Sequence, residues 1–284
     1  MTVQEATYYV LNQLRSIYEE SESSQVTDWI MENITGSKKM ERMLFKNADL
    51  TQEEETQLKK YVERLMQHEP VQYVLNESWF YGLKFYVDKN VLIPRPETEE
   101  LVEWIITNCP SIPAELKILD IGCGSGCIPI TLKKRLVKAE VWSCDISEDA
   151  LVIAKINAAT LGTEVDFIQL DFLDKEQWKQ LPAFDIIVSN PPYVPEKEKA
   201  TMHPNVLNYE PVTALFVPDN DPLLFYKAIA EFGKTHLNKS GSIYTEINES
   251  FSDATITVFQ SAGYVSEMKK DMQQKDRIIR SVPV

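Results

Sequence analysis

From Lys117 onward, short apolar and β-branched runs alternate with helical patterns, and this alternation restricts the fold more than any other feature of the chain. Lys117–Ile121, Glu140–Asp145, Glu164–Gln169, Phe184–Ser189 and Ser242–Ile247 read as strands, with helical periodicity after the first, second and fourth. A βαβ series builds a parallel sheet with helices on both faces. Tyr264–Met268 and Arg277–Val282 add two strands joined too tightly for a helical crossover, so at least one of them is expected to run antiparallel. The expected fold class is α/β, with a mostly parallel, seven-stranded, Rossmann-like sheet.

The preceding residues have a different grammar. Residues 1–70 read as helices only, because Val3, Ala6, Val10, Leu14 and Ile17 recur at helical spacing, as do Leu58, Tyr61, Val62 and Leu65. Thr51-Gln52-Glu53-Glu54 is a capping-box pattern, and Val26–Asn33 and Lys39–Phe45 read as shorter helices separated by Gly36. Pro70 ends this small bundle. Val71–Val74 and then Trp79–Val87 are rich in aromatic and β-branched residues, which predicts a linking β-hairpin over 71–92. Residues 93–284 form the α/β domain, and Thr98 is the expected N-cap of its first helix, which carries Leu101, Val102, Ile105 and Ile106. Two prolines fix the backbone around Arg95, so Arg95, Pro96, Glu97 and Thr98 read as a wall of the site.

Charge and composition bound the chemistry. Asp and Glu number 43 against 29 Lys and Arg, a net charge of −14, which argues against a protein built to grip nucleic-acid phosphates, so no direct nucleic-acid binding is expected. The 4 cysteines form no CxxC, and the 3 histidines lie far apart, so neither a metal site nor a disulfide framework is expected. The amino terminus has no basic, apolar leader pattern and no apolar run is long enough to cross a bilayer, which predicts a cytoplasmic protein.

The strand ends carry the chemistry. Phe184–Ser189 stops at Asn190-Pro191-Pro192-Tyr193, a rigid polar corner at a strand's carboxyl end, where open α/β sheets bind ligands. The side-chain carbonyl of Asn190 and the backbone carbonyl of Pro191 converge as two acceptors for one planar –NH2 group, and Tyr193 is placed to stack on it. An amide or exocyclic amine is a poor nucleophile, so holding it in line with an activated methyl is where rate is gained. Gly122-Cys123-Gly124-Ser125-Gly126 ends the first strand and opens a helix; its spacing is GxGxG, not the GxGxxG of dinucleotide sites. Asp145 closes the second strand, placed to accept both hydroxyls of a ribose, and Asp171-Phe172 after the third suits an adenine. The long segment from Val194 to about Asp221 reads as a lid or substrate-binding loop.

This ordered set resembles the class I S-adenosylmethionine-dependent methyltransferases, in which Asn-Pro-Pro-Tyr marks those acting on planar amino nitrogens of bases or glutamine side chains. Pro70-Val71-Gln72-Tyr73, Leu92-Ile93-Pro94-Arg95-Pro96-Glu97-Thr98-Glu99, Tyr209-Glu210-Pro211 with Ala214-Leu215, and Lys270-Asp271 before Asp276-Arg277 narrow the match. Over nearly the whole length these are similar to the peptide chain release factor glutamine N5-methyltransferase family. The resemblance implies S-adenosylmethionine as cofactor, with Gly122, Cys123, Gly124, Ser125 and Gly126 at its amino-acid end, Asp145 at the ribose, and Asp171, Phe172 and Asn190 completing the pocket. It implies Asn190, Pro191, Pro192 and Tyr193 around the target amide, with Asn190, Pro191 and Tyr193 catalytic, and as partner a bacterial release factor carrying a Gly-Gly-Gln loop. Residues 1–70 would then recognise the substrate protein. A ribosomal-protein glutamine or an exocyclic base amine would offer the same planar group. Two departures are Phe216–Pro222, where the family has a glycine-rich turn, and Asn248, where it has glycine; both are expected to leave the chemistry untouched.

Overall fold

The structure, a computed structural model, describes residues 1–109 and 116–284. These form two compact units: Met1–Glu77 with His203–Tyr209, and Ser78–Met202 with Glu210–Val284.

The first unit is helical: α1 Val3–Leu14, α2 Glu20–Thr35, α3 Lys39–Leu44, α4 Gln52–Met66 and α5 Val71–Leu75. The predicted apolar stripes are its core, in which Val3, Ala6, Val10 and Leu14 meet Val26, Ile30 and Met31 of α2 and Leu58, Val62 and Leu65 of α4. The capping box forms at α4: the Thr51 hydroxyl accepts from the Glu54 amide at 3.2 Å, and the Glu54 carboxylate accepts from the Thr51 amide at 2.7 Å. Val71–Val74 departs from its expected extended form. Pro70 caps a helical turn, Val71 and Val74 share one buried face at i, i+3 spacing, and Asn76 ends it at φ 54°. Within this unit the Tyr209 hydroxyl donates to the Gln67 carbonyl at 2.8 Å.

The second unit opens with the hairpin β1 Ser78–Phe80 and β2 Leu83–Phe85, turned by Tyr81 and Gly82 at φ 52° and 74°. The hairpin is part of this unit: the Asn157 side chain accepts from the Tyr86 amide at 2.7 Å and donates to the Tyr86 carbonyl at 2.9 Å. Helix α6 spans Pro96–Asn108 and begins two residues before the expected cap, because Pro96 is pre-set for the first helical position and Arg95 is the extended N-cap. Thr98 therefore lies inside the first turn, free to use its hydroxyl elsewhere.

The sheet follows: β3 Lys117–Ile121, α7 Cys127–Arg135, β4 Glu140–Asp145, α8 Glu148–Leu161, β5 Asp166–Gln169 and β6 Phe184–Ser189. Next come β7 Val194–Pro195, α9 Pro204–Tyr209, α10 Val212–Leu215 and β8 Phe216–Val217, then α11 Leu224–His236, β9 Leu237–Glu246, α12 Ser252–Ser261, β10 Tyr264–Lys270 and β11 Asp276–Pro283. The seven strands run in the order β10-β11-β9-β6-β3-β4-β5, and β11 is antiparallel to both its neighbours, to β10 as their tight connection requires. From β3 the chain winds outward through β4 and β5, then returns to β6 on the other side, so β3 and β6 flank the switch point at which such sheets bind ligands. The segment after Val194 is not a free loop. β7 and β8 pair in parallel, Val194 with Phe216 and Pro195 with Val217, and close its base. Among the described residues no helix is long and apolar enough to cross a membrane.

Candidate active site

At the carboxyl ends of β3, β4, β5 and β6 lies a cavity of about 360 Å³, within the size range of small-molecule sites. Gly122, Gly124, Asp145, Asp171, Phe172, Asn190, Pro191 and Pro192 line it, which is half of the predicted site residues. Gly122 and Gly124 have φ of 83° and 50°, and a Cβ on either would stand in open space. The backbone is thus bared to the cavity, and its shape at these positions leaves room for a ligand against the main chain. Cys123, Ser125 and Gly126 do not line it. Cys123 packs on Leu151 and Ala154, Ser125 is buried, and Gly126 lies against Ala154, where a Cβ would come within 3.2 Å of that residue's own Cβ. These three hold the loop on α8 from behind.

Asp145 is fixed at both oxygens. Oδ2 accepts from the Gly124 amide at 3.0 Å and Oδ1 from the Ser147 amide at 2.9 Å, which leaves a second lone pair on each for hydroxyls of a ligand. Ser147, whose amide Asp145 holds, is itself the N-cap of α8, its hydroxyl accepting from the Ala150 amide at 3.2 Å. Asp171 ties its own loop by accepting from the Leu173 amide at 3.0 Å. Phe172 is held edge-on against Phe232 at 5.2 Å and beside Trp178 at 5.6 Å, so its ring is a rigid wall.

The Asn-Pro-Pro-Tyr corner is supported from below by groups far away in sequence. Asn190 Nδ2 donates to the Thr98 hydroxyl at 3.0 Å, and Thr98 donates to Glu246 Oε2 at 2.6 Å. The Tyr193 hydroxyl donates to Glu246 Oε1 at 3.0 Å, and the Tyr226 hydroxyl donates to the Glu246 carbonyl at 3.1 Å. Tyr193 does not line the cavity. Its hydroxyl is committed to Glu246 and its ring packs against the main core, so the structure gives it a supporting place, not the expected stacking one. Burial drives its phenol far above the ordinary range, with the Glu246 charge adding to the effect, which removes it as a base. Asn248 also reaches this corner. Its side-chain nitrogen donates to the Tyr193 carbonyl at 3.3 Å, so that departure from the family pattern does touch the site's frame. Phe216 and Pro218 of the other departure line the cavity.

Arg95, Pro96, Glu97 and Thr98 do not form a wall; Asn90, Val91 and Leu92 do. Arg95 instead pairs with Glu210 at 2.5 Å, and Glu210 also accepts from the Ile93 amide at 3.4 Å. The pair anchors the return of the long segment, whose Pro211, Thr213, Ala214 and Phe216 face the cavity. Sequence reasoning missed Glu246 and the Leu224-Phe225 wall, because neither lies in a motif; the only signal for Glu246 is a lone acid closing a buried apolar strand, Ser242–Ile247. Among the described residues no group of three or more His, Cys, Asp or Glu is placed to hold a metal ion.

Comparison with known proteins agrees with this layout. Residues 5–75 match the PrmC N-terminal domain and residues 98–208 the methyltransferase small domain. The release factor glutamine methyltransferase of Flavobacterium psychrophilum is 43% identical over 94% of this chain and 94% of its own. That of Bacteroides thetaiotaomicron is 40% identical over 96% of this chain and 97% of its own. A methyltransferase from Pyrococcus furiosus superposes with a TM-score of 0.51 at 16% identity, covering 71% of this chain and 89% of that one, a likeness of fold alone. With a class I sheet, a helical N-terminal unit and relatives this close over nearly its entire length, the chain belongs to the release factor glutamine methyltransferase family, a family of S-adenosylmethionine-dependent enzymes.

Proposed function

We propose that the protein transfers a methyl group from S-adenosylmethionine to the side-chain nitrogen, N5, of the glutamine in the Gly-Gly-Gln loop of bacterial peptide chain release factors, and that it does so in the cytoplasm. The observation that carries this reading is the Asn190 carboxamide, which lines the cavity with its nitrogen tied down by Thr98 while Oδ1 has no hydrogen-bond partner among the described residues. The cofactor fits the residues present: bared glycine backbone at Gly122 and Gly124, an anchored carboxylate at Asp145 and an aromatic wall at Phe172. When bound, it supplies an electrophilic methyl.

The protein's own contribution is position and polarity. Asn190 Oδ1 and the Pro191 carbonyl accept the two hydrogens of the substrate amide, which directs its nitrogen into the cavity and makes that nitrogen more pyramidal and more nucleophilic. Pro191 and Pro192 hold the second acceptor rigid. Neither Tyr193 nor Glu246 serves as base, since the Tyr193 phenol stays protonated and Glu246 is buried beneath the corner, while the carboxylates of Asp145 and Asp171 are tied to backbone amides. The methylated amide cation is strongly acidic and gives its proton to water. The helical N-terminal unit recognises the release factor as a protein.

Release factor incubated with the enzyme and labelled cofactor tests this reading. Asn190→Ala should lower kcat by about 10²–10³, by analogy with loss of one oriented hydrogen-bond partner, while cofactor affinity survives. Asp145→Ala should do the reverse and raise the cofactor Kd. Full turnover in Asn190→Ala would end the proposal.

A further inference from the structure

Glu246 closes β9 with about 1% of its surface exposed, and it lies beneath the active-site corner, outside the cavity. Its two carboxylate oxygens accept separate hydroxyls, Oε1 that of Tyr193 and Oε2 that of Thr98. A hydroxyl carries a single hydrogen. Because Thr98 gives its hydrogen to a carboxylate, which can only accept, its oxygen meets Asn190 as an acceptor. Asn190 must then turn Nδ2 toward Thr98, and Oδ1 is left outward. A glutamine in place of Glu246 would bring one acceptor and one donor; with its –NH2 toward Thr98 and its carbonyl toward Tyr193, Thr98 would donate to Asn190 instead, and the carboxamide would reverse, presenting –NH2 to a substrate that itself brings –NH2.

We infer that Glu246 is the positioning residue that sets which end of the Asn190 carboxamide faces the substrate amide, acting through the Thr98 hydroxyl. This rests on the proposed role of Asn190 as acceptor. Burial pushes the Glu246 carboxyl up, whereas the hydrogen bonds from Thr98 and Tyr193 and the positive charge of Arg277 oppose that push. Arg277 is itself held, by Asp271 at 3.1 Å and by the Ile247 carbonyl at 3.4 Å. The Lys270-Asp271 and Asp276-Arg277 motif thereby gains a use: it places a cation near the one carboxylate that governs the corner.

Two readouts test the inference. The first needs neither substrate nor cofactor: the side-chain NH2 resonances of Asn190, identified by their loss in Asn190→Ala, report whether its nitrogen is bonded to Thr98. In the wild type one of the two protons should be protected from exchange; in Glu246→Gln and in the near-isosteric Thr98→Val that protection should vanish, while Thr98→Ser restores it. The second is kinetic. Glu246→Gln should lower kcat on release factor by about 10²-fold with the cofactor Kd unchanged, and should cost nothing further in an Asn190→Ala background, since groups acting as a unit are non-additive. An Asn190 NH2 pair unchanged in Glu246→Gln would overturn the inference even where Thr98→Val alters it, as would losses that multiply in the double variant. If Glu246→Gln does not fold, Thr98→Val carries both readouts. Should wild-type enzyme fail to methylate any release factor, the function falls while the resonance measurement still decides the orientation.

Discussion

Asp120, in the middle of β3, has no exposed surface; its Oδ2 accepts from the Ser143 hydroxyl at 2.7 Å and its Oδ1 has no hydrogen-bond partner. Burial, against the help of Ser143 and with the Asp145 charge adding to it, pushes the carboxyl up to about 7. The folded protein then holds a proton that the unfolded chain has released above its ordinary carboxylate range, so stability falls as pH rises toward 7 and levels off beyond. Wild type should lose about 2–3 kcal/mol relative to Asp120→Asn between pH 5 and pH 8, read from denaturant unfolding; parallel curves for the two proteins would contradict the burial argument. At this scale the sequence discloses residues that announce their chemistry by type and neighbours, such as Asn190 between a strand and two prolines. It conceals those that act through contact across the fold. Thr98 and Glu246 are 148 positions apart and meet only once α6 and β9 are packed.

The glycine loop shows how one element serves two purposes. Gly124 and Gly126 both have left-handed backbone, and an alanine at either costs about 1–2 kcal/mol in strain. Beyond that they differ. A Cβ on Gly124 enters open space at the cavity, so Gly124→Ala should weaken cofactor binding with modest loss of stability. A Cβ on Gly126 would lie 2.9 Å from Ile130 Cδ1 and 3.3 Å from Ala154 Cα, so Gly126→Ala should unfold more easily by a further ~1–3 kcal/mol. Thermal unfolding and cofactor titration of the pair would show this crossing of effects; two variants with the same profile would refute it. The Arg95–Glu210 pair is the second such device. The Glu210 side chain is 1% exposed, so Arg95→Ala should destabilise by about 3–5 kcal/mol, toward the lower end because Arg95 is itself 33% exposed. Hydrogen exchange should quicken first in Glu210–Pro218, and uniform protection there would argue against an anchoring role.

Regular elements were legible in proportion to their length and periodicity. β4 and β6 lie where their apolar runs place them, and the capping box at Thr51 fixes the start of α4. The four residues Val71–Val74, two of them β-branched, suit either state, and Pro70 and Asn76 decide for the helical turn α5. At the start of α6, Pro96 outranks Thr98 as a starting signal once its fixed φ is counted.

The molecule as a whole is acidic and divides into two compact units. The unit carrying the cavity supplies every residue of the proposed chemistry, and its switch point between β3 and β6 gathers them in chain order. Family membership and the proposed role of the Asn190 carboxamide both bear on one transfer to one amide nitrogen. Tandem mass spectrometry of full-length release factor after incubation with the protein and S-adenosylmethionine tests that most directly, with a Gln→Ala loop variant and duplex DNA as parallel substrates. A single added methyl on the Gly-Gly-Gln glutamine side chain, absent from the loop variant and from DNA, is the expected result. Methylated DNA with an unmodified factor, or a methyl elsewhere on the factor, would contradict it.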